Sequence, residues 1–156
     1  MLNEQQTRQQ GEDDGVDGFA TGVAVFRDGK LLVVRRAAGD TLGGHYELPG
    51  GGVDEGETIY EGAVRELAEE SGLAATKMLL SFAGFDYITG SQKFIRQCNF
   101  IVEASGEVIL DPNEHDHFMW IDQVEIDSLV VSDKQKICLY NAFKAQKIVE
   151  RKSTWV

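Results

Sequence analysis

Basic residues, cysteine and long apolar runs are all scarce in this chain of 156 residues, and each scarcity excludes something. Fifteen Lys and Arg face 26 Asp and Glu, for a net charge of −11. A stable grip on a long nucleic acid needs a basic surface to replace phosphate counterions, so such a partner is not expected. Cys98 and Cys138 are isolated thiols rather than a disulfide framework. That usage suits a reducing cytoplasm, with both residues as small buried hydrophobes. No apolar run approaches the roughly 18 to 20 residues of a membrane span, so a soluble protein without membrane attachment is expected.

What remains is a chain 42% hydrophobic and 26% charged, long enough for one ordinary domain. Residues 1–18 are polar and Gln-rich, with no apolar stretch to serve as a secretory signal. They read as a disordered arm ahead of a single domain over 19–156.

From Phe19 the pattern turns β-rich. Strands are expected over Ala20 to Arg27 and Lys30 to Arg36, joined by an Asp28-Gly29 hairpin turn. Residues 37–44 form a glycine-rich loop, and Tyr46 to Leu48 a short strand ended by Pro49. A second antiparallel pair is expected over Thr76 to Ile88 and Lys93 to Glu103, with shorter strands at Val108 to Leu110 and Phe118 to Ile121. Asp133 to Val149 has an amphipathic helical pattern. Two helices over mixed strands predict an α/β sandwich.

Gly50, Gly51 and Gly52 precede the most informative segment. Thr58 followed by Glu61 makes a capping box, and Gly72 suits a left-handed cap, so the spacing predicts a helix over Ile59 to Ser71. Ile59, Ala63 and Leu67, widened by Val64, form its packing stripe. Beside that stripe Glu66, Glu69 and Glu70 stand at i, i+3 and i+4, where like charges repel by about 0.3 kcal/mol per pair. A solvated acidic face is one explanation. A bound hard cation is the other.

The surrounding residues decide between them. Gly51, Glu57, Arg65, Glu66, Leu67, Glu69, Glu70, Gly72 and Leu73 fit G-x5-E-x7-R-E-U-x-E-E-x-G-U, with U a bulky aliphatic residue. The segment resembles the signature of the Nudix hydrolases. That resemblance implies an α/β/α sandwich with a mixed central sheet and Mg²⁺-dependent hydrolysis of a diphosphate linkage, with Mn²⁺ as a substitute. It implies Glu66, Glu69 and Glu70 as metal ligands, with Gly51 in the metal set and Glu66 or Glu69 acting in catalysis. Arg65 would orient Glu57 or Glu69. An acid outside the box is common in the family, and Glu114 is the candidate ligand or base, with Asp116 its competitor and His115 and His117 as assistants. Arg36 would hold substrate phosphates. Asp133 lies where relatives read the base, although helix capping explains an aspartate there equally well.

The run of residues 35–51 also resembles the MutT-like nucleoside triphosphate pyrophosphatases. A nucleoside or deoxynucleoside triphosphate, free or oxidised, is therefore the expected substrate, yielding a monophosphate and pyrophosphate. ADP-ribose or a nucleotide-sugar is the alternative, weakened because residues 85–97 contain no proline. Nothing resembles a coenzyme A motif. A non-catalytic nucleotide sensor is a further alternative, opposed by the intact glutamates. Related proteins are often homodimers, so that assembly is carried as an expectation.

Overall fold

The computed structural model describes residues 1–154. Its elements are α1 (Glu4–Asp13), β1 (Gly18–Ala24), β2 (Phe26–Arg27), β3 (Lys30–Arg36), β4 (Tyr46–Glu47), α2 (Ile59–Ser71), β5 (Ala74–Ile88), β6 (Phe94–Ser105), β7 (His115–Ile121), a 3₁₀ turn (Gln123–Ser128) and α3 (Asp133–Ser153). In one sheet β6 lies between β1, parallel to it, and β5, antiparallel to it. In the other, β3 pairs with β7 along one edge and with β2 and β4 along the opposite edge.

Strand alternation splits the interior into two cores, because successive side chains leave opposite faces. Leu31, Val33, Ala24 and Ile101 pack with Leu139, Ala142 and Phe143 of α3. Leu32, Val23, Val25, Phe100 and Val102 pack with Ile59, Ala63 and Leu67 of α2. The two helices thus cover opposite sides of the sheets, which is the α/β/α layering expected. Leu31, Leu32, Leu67, Leu139 and Ile121 are fully buried. Among the described residues no helix is long and apolar enough to cross a membrane. Cys138 is buried and Cys98 partly so, both as free thiols.

Several local expectations are realised by identifiable chemistry. Asp28 and Gly29 take φ of 51° and 76°, the paired positive values of a type I′ hairpin turn. The Thr58 hydroxyl accepts from Glu61 N while the Glu61 carboxylate accepts from Thr58 N, and Gly72 closes α2 at φ 74°.

Four expectations need correction. The segment read as a disordered arm contains α1, capped reciprocally by Asn3 and Gln6. A short polar helix is marginal alone, so tertiary contacts hold it. Both Glu4 carboxylate oxygens accept from Ile59 N at 3.1 Å, Arg8 Nη2 donates to Glu57 O at 2.9 Å, and Gly11 packs on Phe19. Residues 108–110 are irregular rather than a strand, because Ile109 N donates to Ser71 O and so serves the end of α2. The strand expected over residues 20–27 is interrupted between β1 and β2, while that expected over 118–121 begins at His115. The domain was expected to run to residue 156; its last two residues lie outside the described ones.

Residues 49–53 tie the sheets together and carry α2 into place. They run beside β1, with Val23 N donating to Pro49 O, Thr21 N to Gly51 O, Gly51 N to Thr21 O and Val53 N to Phe19 O. A Cβ at Gly50 would stand 1.9 Å from Thr21 O, so this close pairing requires glycine.

Candidate active site

Arg65 organises the solvent-side end of the box. Nε and Nη2 form a fork on Glu57 at 2.9 and 2.8 Å, Nη1 reaches Glu66 at 2.9 Å and Glu69 at 3.1 Å, and Nη2 also donates to Gly52 O at 2.8 Å. The Arg65 hydrogen bond and the Asp54 amide hold the Glu57 carboxyl down at about 2. Burial raises Glu66 above the usual carboxylate range, with Arg65 opposing it. Glu69 is the exposed member of the trio and turns to Arg65. Gly51, expected in the metal set, has its carbonyl engaged by both Thr21 N and Thr21 Oγ1. What Gly51 contributes is the absence of a side chain, since a Cβ would meet the Glu66 carboxylate at 2.6 Å.

Glu70 faces the other way, into the protein. Gly50 N donates to Glu70 Oε1 at 2.6 Å, and only 7% of the residue is exposed. Burial pushes its carboxyl up to about 8, against the pull of that amide and of His115. His115 Nδ1 lies 3.6 Å from Glu70 Oε2, while Nε2 is 3.0 Å from Glu47 Oε2. Arg36 Nε donates to the other Glu47 oxygen at 2.9 Å. A bulge in β7 creates this alignment: Arg35 pairs with His117 and Arg36 with His115, leaving Asp116 as the extra residue. Burial works to lower the His115 pKa, but the Glu47 hydrogen bond and the charges of Glu70, Glu47 and Glu114 prevail and raise it.

These groups open onto a cavity of about 550 Å³. Glu70, Glu114, His115 and Arg36 line one part, and Phe85, Tyr87, Gln97, Asp133 and Gln135 line another. The Phe85 and Tyr87 rings have centroids 5.7 Å apart, giving the cavity an aromatic surface. Arg36 is half-buried and held by Glu47, Asp40 and Thr41 O. Asp133 opens α3, but the cap is Ser132, which separates the aspartate from that structural explanation.

Ligand atoms of Glu70, Glu114 and His115 all lie within 4.8 Å of one another. His115 is 2% exposed, yet its Nδ1 has no hydrogen-bond partner. A buried nitrogen with no hydrogen-bond partner, clustered with two carboxyl groups, fits a divalent cation. The structure therefore brings together Glu70, Glu114, Arg36 and Asp133 around one cavity, with the charge of Glu66 felt at Glu70 and that of Glu114 felt at Glu66. Glu69 and Arg65 stand at the outer side. Asp116 is paired with Arg35 at 2.7 Å, and His117 packs edge-on against Tyr46. Sequence reasoning overlooked Glu47, whose only signal was an acid just before the Pro-Gly turn, and gave His115 only an assisting place.

The comparisons with known proteins agree with this geometry. A family model described as the NUDIX domain matches residues 17–140. An RNA pyrophosphohydrolase of Bartonella quintana is 32% identical over 142 residues, covering 74% of this chain and 82% of that protein. An ADP-ribose pyrophosphatase of Methanocaldococcus jannaschii is 45% identical over 58 residues, 37% of this chain and 31% of that protein. The crystal structure of a MutT NUDIX hydrolase from Burkholderia pseudomallei superposes with a TM-score of 0.65 at 26% identity, covering 80% of this chain and 96% of that one. With the glutamate-bearing helix, the sandwich that positions it and a match spanning both, the chain belongs to the Nudix hydrolases and is a pyrophosphohydrolase.

Proposed function

We propose that the chain hydrolyses a free nucleoside or deoxynucleoside triphosphate to the monophosphate and pyrophosphate, using Mg²⁺ or Mn²⁺. The observation that carries this reading is a shared cavity, in which Glu70, Glu114 and Arg36 adjoin Phe85, Tyr87 and Asp133. Its volume of about 550 Å³ lies in the range of small-molecule sites. Phosphates fit the charged part and a base the aromatic part.

Glu66, Glu69 and Glu70 would hold the metal. When bound, such an ion polarises a phosphoryl oxygen and lowers the pKa of a coordinated water. The protein's own groups supply the remaining tasks. Gly50 N fixes the Glu70 carboxylate, and Arg65 fixes Glu66 and Glu69. Glu114 would serve as a further ligand or take the proton of the attacking water, with Glu66 and Glu69 as alternatives for the second task. Arg36 binds a phosphate oxygen from the cavity wall, and Asp133 accepts from a donor on the base.

Relatives named RNA pyrophosphohydrolase support a second reading, in which the same linkage is cut at the end of an RNA. The two are separated by chromatographing products from a panel of dNTPs, ADP-ribose and a 5′-triphosphorylated oligoribonucleotide. Metal-dependent release of pyrophosphate from a free triphosphate is expected, with Glu70→Gln slowing turnover about 100-fold, the scale of losing one charge-stabilising group. Turnover confined to the RNA or to ADP-ribose overturns the substrate assignment. Undiminished turnover by Glu70→Gln overturns the site.

A further inference from the structure

Three observations at His115 point to a kind of ion that the box glutamates alone do not specify. First, its protonation pattern is dictated from behind. Glu47 Oε1 already accepts from Arg36, and Oε2 stands 3.0 Å from His115 Nε2, so Nε2 carries the proton and donates. In the neutral ring Nδ1 then carries a lone pair, and it stands on the Glu70 side of the ring. Second, that nitrogen is sealed from water and unpartnered. Third, its 3.6 Å separation from Glu70 Oε2 is too long for a hydrogen bond. It is near the spacing of two donors around one ion, about 3.4 Å when each is about 2.1 Å from a tetrahedral centre.

An acceptor nitrogen 3.6 Å from a Glu70 oxygen, with Glu114 in the same cluster, calls for a positive charge among them, either a proton or a cation. A ring nitrogen oriented by a carboxylate behind it is also the arrangement that metal-binding histidines use. Imidazole suits first-row transition ions, whereas Mg²⁺ keeps to oxygen ligands. We propose that His115 Nδ1, Glu70 and Glu114 form a mixed nitrogen and oxygen site that takes a first-row transition ion in preference to Mg²⁺. Glu47 and Arg36 position the imidazole. The site shares Glu70 with the box and rests on the reading of that residue as a metal ligand.

The full-length chain, stripped of metal and loaded with Mn²⁺, tests this without substrate. Pulsed electron paramagnetic resonance should show hyperfine coupling to a directly bound ¹⁴N. Calorimetric titration should show Co²⁺ binding more than about tenfold tighter than Mg²⁺, on the scale of metal-shell effects. His115→Gln retains a donor for Glu47 but has no Nδ1, and it should lose the nitrogen coupling and most of the preference for Co²⁺. Absence of the coupling in the parent protein overturns the proposal, as does an unchanged Co²⁺ to Mg²⁺ ratio in the variant. An imidazolium paired with Glu70 would give neither signal. If the variant does not fold, the parent spectrum decides. Turnover is a separate measurement: nitrogen coupling without hydrolysis removes the proposed reaction and leaves this site, whereas hydrolysis without coupling does the reverse.

Discussion

Alanine placed in turn at Gly50, Gly51 and Gly52 should produce three different proteins from neighbouring substitutions. At Gly50 the new Cβ would stand 1.9 Å from the Thr21 carbonyl oxygen, and backbone cannot swing aside as a side chain can. The segment must leave β1, endangering the hydrogen bonds Gly51 N to Thr21 O, Thr21 N to Gly51 O and Val23 N to Pro49 O. At about 1 kcal/mol each, these give a loss of about 3 kcal/mol. For a chain of this length that corresponds to a melting temperature lower by about 9 °C. The same movement withdraws the Gly50 amide from Glu70, so turnover falls too. At Gly51 the obstacle is the end of the Glu66 side chain at 2.6 Å, which can rotate away. Stability should fall by about 1 kcal/mol or less, while turnover drops because Glu66 leaves Arg65. At Gly52 nothing lies within 4 Å, and both properties should stay near the parent, within about 0.5 kcal/mol in stability. Urea denaturation and steady-state kinetics on all three variants provide the assay. A Gly50→Ala protein melting within about 2 °C of the parent refutes the reasoning, and so does a Gly52→Ala protein as damaged as it.

Two other perturbations follow from the ion pairs. Arg65 and the Asp54 amide hold Glu57 at about 2, so its contribution to stability is present above the ordinary carboxylate range and is lost as the pH falls toward 2. Thermal melts from pH 5 to 2 should be less pH-sensitive in Glu57→Gln than in the parent; parallel profiles would exclude Glu57 as an acid-sensitive contact. Glu4→Gln removes a charge from the N-terminus of α2 and should cost about 0.5 kcal/mol, with discounting for the exposure of Glu4. Amide exchange should quicken at residues 57–60, and unchanged protection there would show that α1 does not restrain the loop.

The glutamate helix was legible because its chemistry is local. Thr58 and Glu61 cap each other, Gly72 ends the helix, and Ile59, Ala63 and Leu67 repeat at helical spacing. The Asp28-Gly29 turn was legible for the same reason. The helix α1 was not, since its composition is polar and what holds it is the amide of Ile59, 55 residues from Glu4. Residues 108–110 have strand-like composition, yet the backbone demand of the α2 terminus takes the Ile109 amide. Glu47 and His115 are 68 residues apart and meet only through β3, assisted by a bulge that no local pattern announces. Glu66, Glu69 and Glu70 were found as a trio, but their different exposures depend on how α2 is rotated against β1.

The contact between Glu4 and Ile59 also limits where an anion can go. A helix N-terminus ordinarily offers its free amides to phosphate, and α2 is the helix that carries the metal-box glutamates. Here that end already holds a carboxylate supplied by the chain itself. Glu4, Arg8, Glu57 and Thr58 line a surface pocket apart from the cavity of Glu70 and Arg36, so this helix end, its Ile59 amide taken, leaves that cavity to receive a polyphosphate. In that cavity Arg36 and Lys134 face five carboxylates, Asp40, Glu47, Glu70, Glu114 and Asp133, so the cavity's positive charge is outnumbered until a cation is present. Dependence on metal is thus reinforced from a distance, by a glutamate that touches neither metal nor substrate.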